Sequence, residues 1–227
     1  APVWAADQQA EEPGAKDWPV LIARLRQEVQ RRPGFAHPRE QLAIAYNNYG
    51  VSLSDVGQWE PAIAQLREAI RVEPQNQQFR QNLANVFVNQ AKKLHENHQD
   101  NEALSVITQA LELHPSSAGA HQLLGEVEYG RQQLKEAKVA WDRALALDPT
   151  NTVLAERRAQ LANELPVESK FDKLSQAYFD LRYEDSFERP AGFDIRDALL
   201  QARRDVGSDF AYWPKYKIVV LIYSNER

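Results

Sequence analysis

The sequence AIAQLREAIRVEP, at Ala62 to Pro74, carries a pattern that recurs twice, as ALSVITQALELHP at 103–115 and AKVAWDRALALDP at 137–149. Each copy places two alanines seven residues apart, with a bulky apolar residue between them and a proline at its end. Positions three, four and seven residues apart share one face of a helix, and proline ends a helix. The pattern therefore predicts three helices that each approach a neighbouring helix closely through alanine.

A partner helix precedes the copies. Tyr46 and Gly50 come before the first copy, Gly57 marks the turn between the two helices, and Leu124 and Gly125 come before the third copy. The prolines that end the second and third copies are 34 residues apart. This spacing is the period of a helix-turn-helix solenoid repeat.

With these residues the chain resembles a tetratricopeptide repeat array over about residues 41–151. The resemblance implies a mainly α fold, an α-solenoid whose first helices line a concave face. We predict repeats at about 41–76, 77–117 and 118–151, with capping helices at 17–32 and 151–165.

Repeat two departs from the 34-residue period, because 41 residues separate Pro74 from Pro115. Seven extra residues are about two helical turns, so they keep the same face in register. The apolar stripe that runs through Leu83 and Phe87 places the surplus in the first helix. We predict that this helix is long, from about Gln77 to Glu96.

Composition excludes several classes of function. The chain has 227 residues, a net charge of −5 and no cysteine. The charge favours neither nucleic acid nor an anionic membrane as partner, and no apolar run approaches the roughly 20 residues that span a bilayer. Without cysteine there is no disulfide, thiolate catalysis or cysteine-ligated metal. No cofactor is predicted.

The first residues predict export. The sequence lacks methionine, and small residues at Val3 and Ala5 stand where a signal peptidase reads. We expect residues 1–16 to be a disordered lead with a signal-peptide remnant, and the protein to be exported, periplasmic or associated with the cell envelope. A vector remnant or an internal cut is the alternative.

Residues 171–227 are predicted to form a partial α/β domain. A strand at 178–183, a helix at 193–206 capped by Gly207, and a buried strand at 218–223 follow from the change of period. The segment resembles the start of bacterial zinc peptidase-like domains. The resemblance depends on Phe179, Tyr183, Phe210, Tyr212, Pro214, Lys217, Ile218, Val220 and Tyr223. The His-Glu-x-x-His motif of that family is absent, so no catalytic residue is assigned.

Other candidate sites have simpler explanations. His95 and His98 are three residues apart near a helix end, where the helix dipole favours histidine without a metal. Trp141 and Tyr46 occupy packing positions of the repeat and are predicted to be core. Trp213 is predicted to be a buried support of the last strand, with a surface anchor as the alternative.

The binding site with a positive argument is the concave face. First-helix residues that packing does not use point into it, and amides suit an extended peptide backbone because they donate and accept hydrogen bonds. An ordinary hydrated helix face explains the same residues equally well. Val51, Gly119 and Leu123 replace basic groove residues, which disfavours a free carboxylate ligand. The predicted partner-binding residues are Asn47, Val51, Ser54, Gln78, Gln81, Asn85, Lys92, Gln122, Glu126 and Tyr129.

We therefore predict a non-catalytic scaffold that binds a peptide or protein segment in this groove. Two alternatives stay open. The chain could be the substrate-binding part of a zinc metallopeptidase-like protein, or a scaffold that assembles with itself as a homo-oligomer.

Overall fold

A computed structural model describes residues 17–168, 171–175, 178–184, 189–214 and 218–222. The lead predicted for residues 1–16 lies outside the described residues.

The described residues form nine helices and three strands. The helices before the sheet are α1 (Trp18–Arg31), α2 (Ala36–Asp55), α3 (Trp59–Val72), α4 (Gln77–Glu96), α5 (Asp100–Leu113), α6 (Ala118–Gly130), α7 (Leu134–Leu147) and α8 (Thr152–Glu168). They are followed by β1 (Phe171–Ser175), β2 (Phe179–Glu184), α9 (Arg189–Phe210) and β3 (Ile218–Ile222).

The predicted fold class is confirmed. The pairs α2/α3, α4/α5 and α6/α7 are three helix-turn-helix repeats, with α1 and α8 as flanking helices and a small sheet after them. The predicted long helix of repeat two is confirmed as well, because α4 runs from Gln77 to Glu96.

The chain divides into two compact units. The first contains the described residues up to Lys93 together with Ser105–Ser116, and the second contains Leu94–Leu104 together with the described residues from Ser117 onward. In the first unit α1 and α3 pack on α2, and in the second α6 and α8 pack on α7.

The repeated alanines are buried, as the sequence predicts. The six residues are Ala62, Ala69, Ala103, Ala110 and Ala137, which are fully buried, and Ala144, which is 2% exposed. The bulky residues between them, Leu66, Ile107 and Trp141, are buried too. A methyl group at each alanine lets the neighbouring helix approach while the large residue fills the remaining space.

Glycine permits two still closer approaches. A Cβ atom on Gly50 would lie 2.6 Å from Cγ of Leu66, and one on Gly125 would lie 2.2 Å from Cδ1 of Trp141. Both glycines lie in first helices, α2 and α6, and face the bulky residue of the following helix. Leu66 and Trp141 therefore pack directly on the backbone of the preceding helix.

Each hairpin turn contains one residue with left-handed backbone geometry. These residues are Gly57 with φ of 75°, His98 with φ of 59° and Gln132 with φ of 58°. Each lies five residues before the first alanine of the recurring pattern in the second helix of its repeat. The sequence signals only Gly57, because histidine and glutamine seldom adopt this conformation.

The extra length of repeat two recurs in repeat one. The helices α2 and α4 have 20 residues each, whereas α6 has 13. The sequence holds a signal for this, since Pro33 and Pro74 are also 41 residues apart. In the first turn of each long helix, Arg39 donates to the carbonyl of Val72, the last residue of α3, at 3.3 Å, and Arg80 donates to the carbonyl of Pro74, two residues later, at 2.7 Å.

The flanking helices each bury a narrow apolar stripe. In α1 the buried residues are Ile22 and Leu25, while Val20 is exposed. In α8 Leu154 and Leu161, seven residues apart, are buried, whereas Val153 is exposed. In both helices the buried stripe is narrower than the run of apolar residues suggests.

The sheet has the order β1-β2-β3. The strand β1 pairs with β2 antiparallel, and β2 pairs with β3 parallel through the crossover helix α9. The sequence did not predict β1. The assignment of Gly207 as a helix cap was wrong, because α9 continues to Phe210.

We predict that Gly125→Ala lowers the free energy of unfolding by about 1–3 kcal/mol, because its methyl group overlaps the Trp141 ring. Gly119→Ala is the matched control in the same helix. A Cβ there meets nothing within 4 Å, so the change should stabilise the protein by up to about 1 kcal/mol. Urea denaturation measures both. Equal effects of the two substitutions would contradict close packing at Gly125.

We predict that Gln132→Gly stabilises the protein by about 0.5–1 kcal/mol, because glycine adopts a left-handed backbone without steric cost. The neighbouring Gln133 has φ of −94°, so Gln133→Gly should give no such gain. The midpoint of thermal unfolding compares the two variants. A loss of stability in Gln132→Gly would argue against a left-handed turn.

Candidate functional site

A chain of four side-chain amides links α2 and α4 in the first unit. Gln78 donates from Nε2 to Oδ1 of Asn82 at 3.0 Å, and Asn82 donates from Nδ2 to Oδ1 of Asn47 at 2.7 Å. Asn47 then donates from Nδ2 to Oδ1 of Asn48 at 3.1 Å. We call these four residues the amide chain. All its hydrogen bonds run in one direction, so each bond polarises the next.

The core of repeat one fixes the position of this chain. Asn47 follows Tyr46, which is 2% exposed and whose hydroxyl accepts a hydrogen bond from Nε of Arg26. The core roles predicted for Tyr46 and Trp141 are confirmed. Because Asn47 lies directly beside this core it is only 8% exposed, and its hydrogen bonds to Asn82 and Asn48 satisfy it there.

The other predicted groove residues of the first unit differ in exposure. Gln78, Asn85 and Lys92 are exposed. Gln81 and Val51 are half-buried, and Ser54 is buried. Only the exposed and half-buried members present polar atoms or a surface to solvent. The sequence missed Asn48 and Asn82, although Gln78, Asn82, Asn85 and Asn89 recur at helical spacing.

In the second unit the predicted groove residues of repeat three contact α8. Gln122 accepts from Nδ2 of Asn151 at 3.0 Å, and it donates from Nε2 to Glu126 at 3.0 Å. Glu126 in turn pairs with Arg157 at 3.2 Å. The polar side chains of α6 therefore hold α8 and the residue before it in place.

Tyr129 also connects α6 to α8. Its ring stacks on Trp141 with centroids 5.5 Å apart, and its hydroxyl donates to the two carboxylate oxygens of Glu164 at 3.0 and 3.1 Å. Burial raises the pKa of the Tyr129 phenol, and the carboxylate of Glu164 raises it further. Ionisation of Tyr129 would place a second negative charge beside Glu164.

An ionic cluster on the same unit joins α7 to α8. Asp142 accepts from Nε of Arg158 at 2.7 Å and from Nζ of Lys138 at 2.6 Å. The hydrogen bond from Arg158 lowers the pKa of Asp142, and that from Lys138 adds to the effect. Because the pKa in the folded state is below its ordinary value, the stabilisation is complete above that ordinary value. It is lost as the pH falls through the lowered pKa.

The two histidines do not form a metal site with neighbouring carboxylates. Nδ1 of His95 lies 2.7 Å from Oδ1 of Asp100, across the turn between α4 and α5. Within the described part of the chain, no group of three histidine or acidic side chains is arranged to hold a metal ion. His98 and Asp100 instead line a shallow cleft of about 300 Å³ beside Val219 of β3.

The prediction that Trp213 is buried under the last strand was wrong. Trp213 is 44% exposed, and its ring lies flat against Gly207, where an added Cβ would be 2.4 Å from Cζ3. The left-handed backbone at Ala211, with φ of 49°, turns the chain back onto α9. The tryptophan therefore packs on its own helix.

No family model matches the chain, and no curated protein matches it. Among solved structures it is similar to the first TPR domain of human RPAP3 (22% identity, TM-score 0.39), covering 56% of this chain and 95% of that domain. The first TPR of Spaghetti (RPAP3), bound to the HSP90 peptide SRMEEVD, matches with the same identity, TM-score and coverage.

Two further solved structures are similar. The TPR domain of Arabidopsis OM64 has 21% identity and a TM-score of 0.39, with 55% of this chain and 98% of that one covered. MamA has 14% identity and a TM-score of 0.41, with 68% and 82% covered. The repeat fold of the present chain rests on its own helix bounds and buried alanines. None of its described helices is both long and apolar enough to cross a bilayer.

We predict that Tyr129 keeps its phenol proton above pH 10.0 in the folded protein. Glu164→Gln should lower the Tyr129 midpoint by removing the negative charge, while burial keeps the midpoint above 10.0. The stability contributed by this raised pKa is complete below pH 10.0 and is lost as the pH rises through the pKa of the folded state.

The chemical shift of ¹³Cζ in Tyr129 follows this titration. Glu156→Gln, on an exposed position of the same helix α8, is the control and should leave the midpoint unchanged. A midpoint at or below 10.0 in the unsubstituted protein would contradict the effect of burial.

Proposed function

We propose that this protein is a non-catalytic interaction protein that holds an extended segment of another protein against the polar faces of α2 and α4. The observation that carries the proposal is the amide chain. Its hydrogen bonds all run in one direction, and one of its members, Asn47, is nearly buried. It deepens the expectation that the first helices bind peptide, and it identifies two residues that the sequence did not single out.

The amide chain matches the hydrogen-bonding groups of a peptide backbone. Each peptide unit offers one N–H donor and one C=O acceptor, and an amide side chain offers the same two kinds of group. In the amide chain Gln78 Oε1 remains an acceptor at one end, and Asn48 Nδ2 remains a donor at the other. An extended segment can therefore continue the row at both ends without disturbing the bonds inside it.

Burial of Asn47 supports the proposal energetically. Asn47 is 8% exposed and is held from both sides, so the orientation of the row is set before a ligand arrives. A preorganised row lowers the ordering cost of binding. Freely rotating surface amides would have to lose side-chain entropy at that step.

Charge favours a neutral ligand segment on α4. The exposed or half-buried positions Gln78, Gln81 and Asn85 are uncharged, and Lys92 lies two turns further along the helix. Neutral amides reward backbone contacts more than they reward a carboxylate, which is bound most strongly by cations. We therefore propose recognition through the backbone of the segment.

The first experiment identifies the segment. A photo-crosslinking amino acid placed at Asn85 should capture a partner peptide from a cell-envelope extract, and mass spectrometry should locate the crosslink. The same group at Arg67, an exposed position of α3, is the control. Capture from both positions alike would contradict a site on α4.

With the captured segment as a synthetic peptide, we expect Gln78→Ala/Asn85→Ala to weaken binding about tenfold or more, because two hydrogen bonds of about 0.5–1.5 kcal/mol each are lost. Gln27→Ala/Gln30→Ala removes two exposed amides from α1 and is the matched control. Calorimetry measures the affinities, and circular dichroism checks that helix content is unchanged. Equal affinities in the two double variants would overturn the proposal.

For repeat three, contact of Gln122, Glu126 and Tyr129 with the partner stays a prediction. Their described side-chain hydrogen bonds go to one another, to Asn151 before α8 and to α8 itself. The proposal therefore rests on α2 and α4 alone.

A further inference from the structure

The end of α9 exposes an aromatic surface that the proposed function does not use. Phe210 is 77% exposed and Tyr212 is 61% exposed, values unusual for large apolar side chains. They lie close in sequence to Trp213, and Val206 and Tyr178 are exposed as well. We call Tyr178, Arg203, Val206, Phe210, Tyr212 and Trp213 the aromatic surface.

Helical geometry brings the α9 members of this surface onto one side. At 100° per residue, Arg203, Val206, Gly207 and Phe210 fall within an arc of about 100°. By the same rule Asp205 points about 160° away from Arg203. The positive charge and the apolar side chains therefore share one face of the helix.

The aromatic surface is preorganised. The amide of Tyr212 donates to the carbonyl of Gly207 at 3.2 Å, and the left-handed residue Ala211 reverses the chain at this point. Trp213 then lies on Gly207, where no side chain blocks the ring. The indole is held against the helix although almost half of it is exposed.

Arg203 is the charged member of the surface. Its guanidinium carbon lies 3.7 Å from the centroid of the Tyr178 ring and 5.0 Å from that of the Trp213 ring. Within the part of the chain that the structure describes, Arg203 makes neither a hydrogen bond nor an ion pair. Stacking orients a guanidinium but uses its face, so the N–H groups at its edge keep their capacity to donate.

We propose that the aromatic surface binds an acidic segment of a partner protein, with one carboxylate on Arg203 and a neighbouring apolar side chain on Trp213 and Phe210. A carboxylate matches the edge of a guanidinium with two parallel hydrogen bonds. Tryptophan, tyrosine and arginine are the residue types that contribute most binding energy in protein interfaces. The aromatic surface contains one cation, Arg203, so it lacks the cluster of cations that anionic lipid requires.

The test uses the whole protein and a designed probe, the peptide Ac-Gly-Asp-Leu-Phe-Gly-NH₂. Its neutral twin has asparagine in place of aspartate. The ¹H–¹⁵N resonance of the Trp213 indole, assigned by its loss in Trp213→Phe, reports on binding. We expect saturable shifts with the acidic peptide and about tenfold weaker binding of the neutral twin, since a charge-assisted pair is lost.

Two variants separate this site from a general charge effect. Arg203→Gln should weaken binding of the acidic peptide about tenfold and make both peptides equivalent. Arg204→Gln is the matched control, because Arg204 is exposed and donates to Gln201 at 2.6 Å. It should bind the acidic peptide as the unsubstituted protein does. Gly207→Ala should also weaken binding, because the added methyl group displaces the indole.

Three results would overturn the proposal. The two peptides could bind equally to the unsubstituted protein, or Arg203→Gln and Arg204→Gln could have equal effects. The third is a shift of the indole resonance with vesicles of anionic phospholipid but not with the acidic peptide, which would assign the surface to lipid.

Discussion

The close approach of neighbouring helices is the packing constraint that shapes this protein. At each approach one helix presents no more than a methyl group, as at Ala69 and Ala144, or only a hydrogen atom, as at Gly50 and Gly125. The facing helix then fills the space with one large side chain. Interiors are packed at crystal-like density, so neither partner can change volume without moving the helix axes. This constraint sets the repeat and leaves the remaining faces free to carry polar residues.

Polar residues beside that packing acquire different roles in the two units. In the first, Asn47 lies next to Tyr46 and connects through Asn82 to a row of amides whose ends are open. In the second, Gln122 and Tyr129 occupy the same kind of helix face, but their hydrogen bonds go to neighbours on α6 and α8. A row of amides with an unused acceptor at one end and an unused donor at the other can bind a ligand. Side chains that are already bonded to α8 instead hold that flanking helix. In the second unit the bonds from Tyr129 and Glu126 join α6 to α8.

The segment after the repeats follows another principle. Its exposed aromatic residues are oriented by contacts with one helix, since Trp213 lies on Gly207 and Arg203 stacks on Tyr178. A glycine in the middle of a helix lowers helix stability by about 1 kcal/mol relative to alanine. Here it provides the flat surface that a large ring needs. The same residue was interpreted from sequence as a helix cap, which is the commoner use of glycine near a helix end.

The repeat, the long helix α4 and the core roles of Tyr46 and Trp141 could be predicted from the order of the residues alone, because helical periodicity is a local property of neighbouring residues. Only the tertiary structure decided the Asn47–Asn82 bond, the pairing of β1 with β2 and the position of Trp213 on α9. The asparagines are 35 residues apart, and no local sequence pattern specifies which two amides form a hydrogen bond. The left-handed turns at His98 and Gln132 belong to the same group, since the helices on either side impose a conformation that these residues do not prefer.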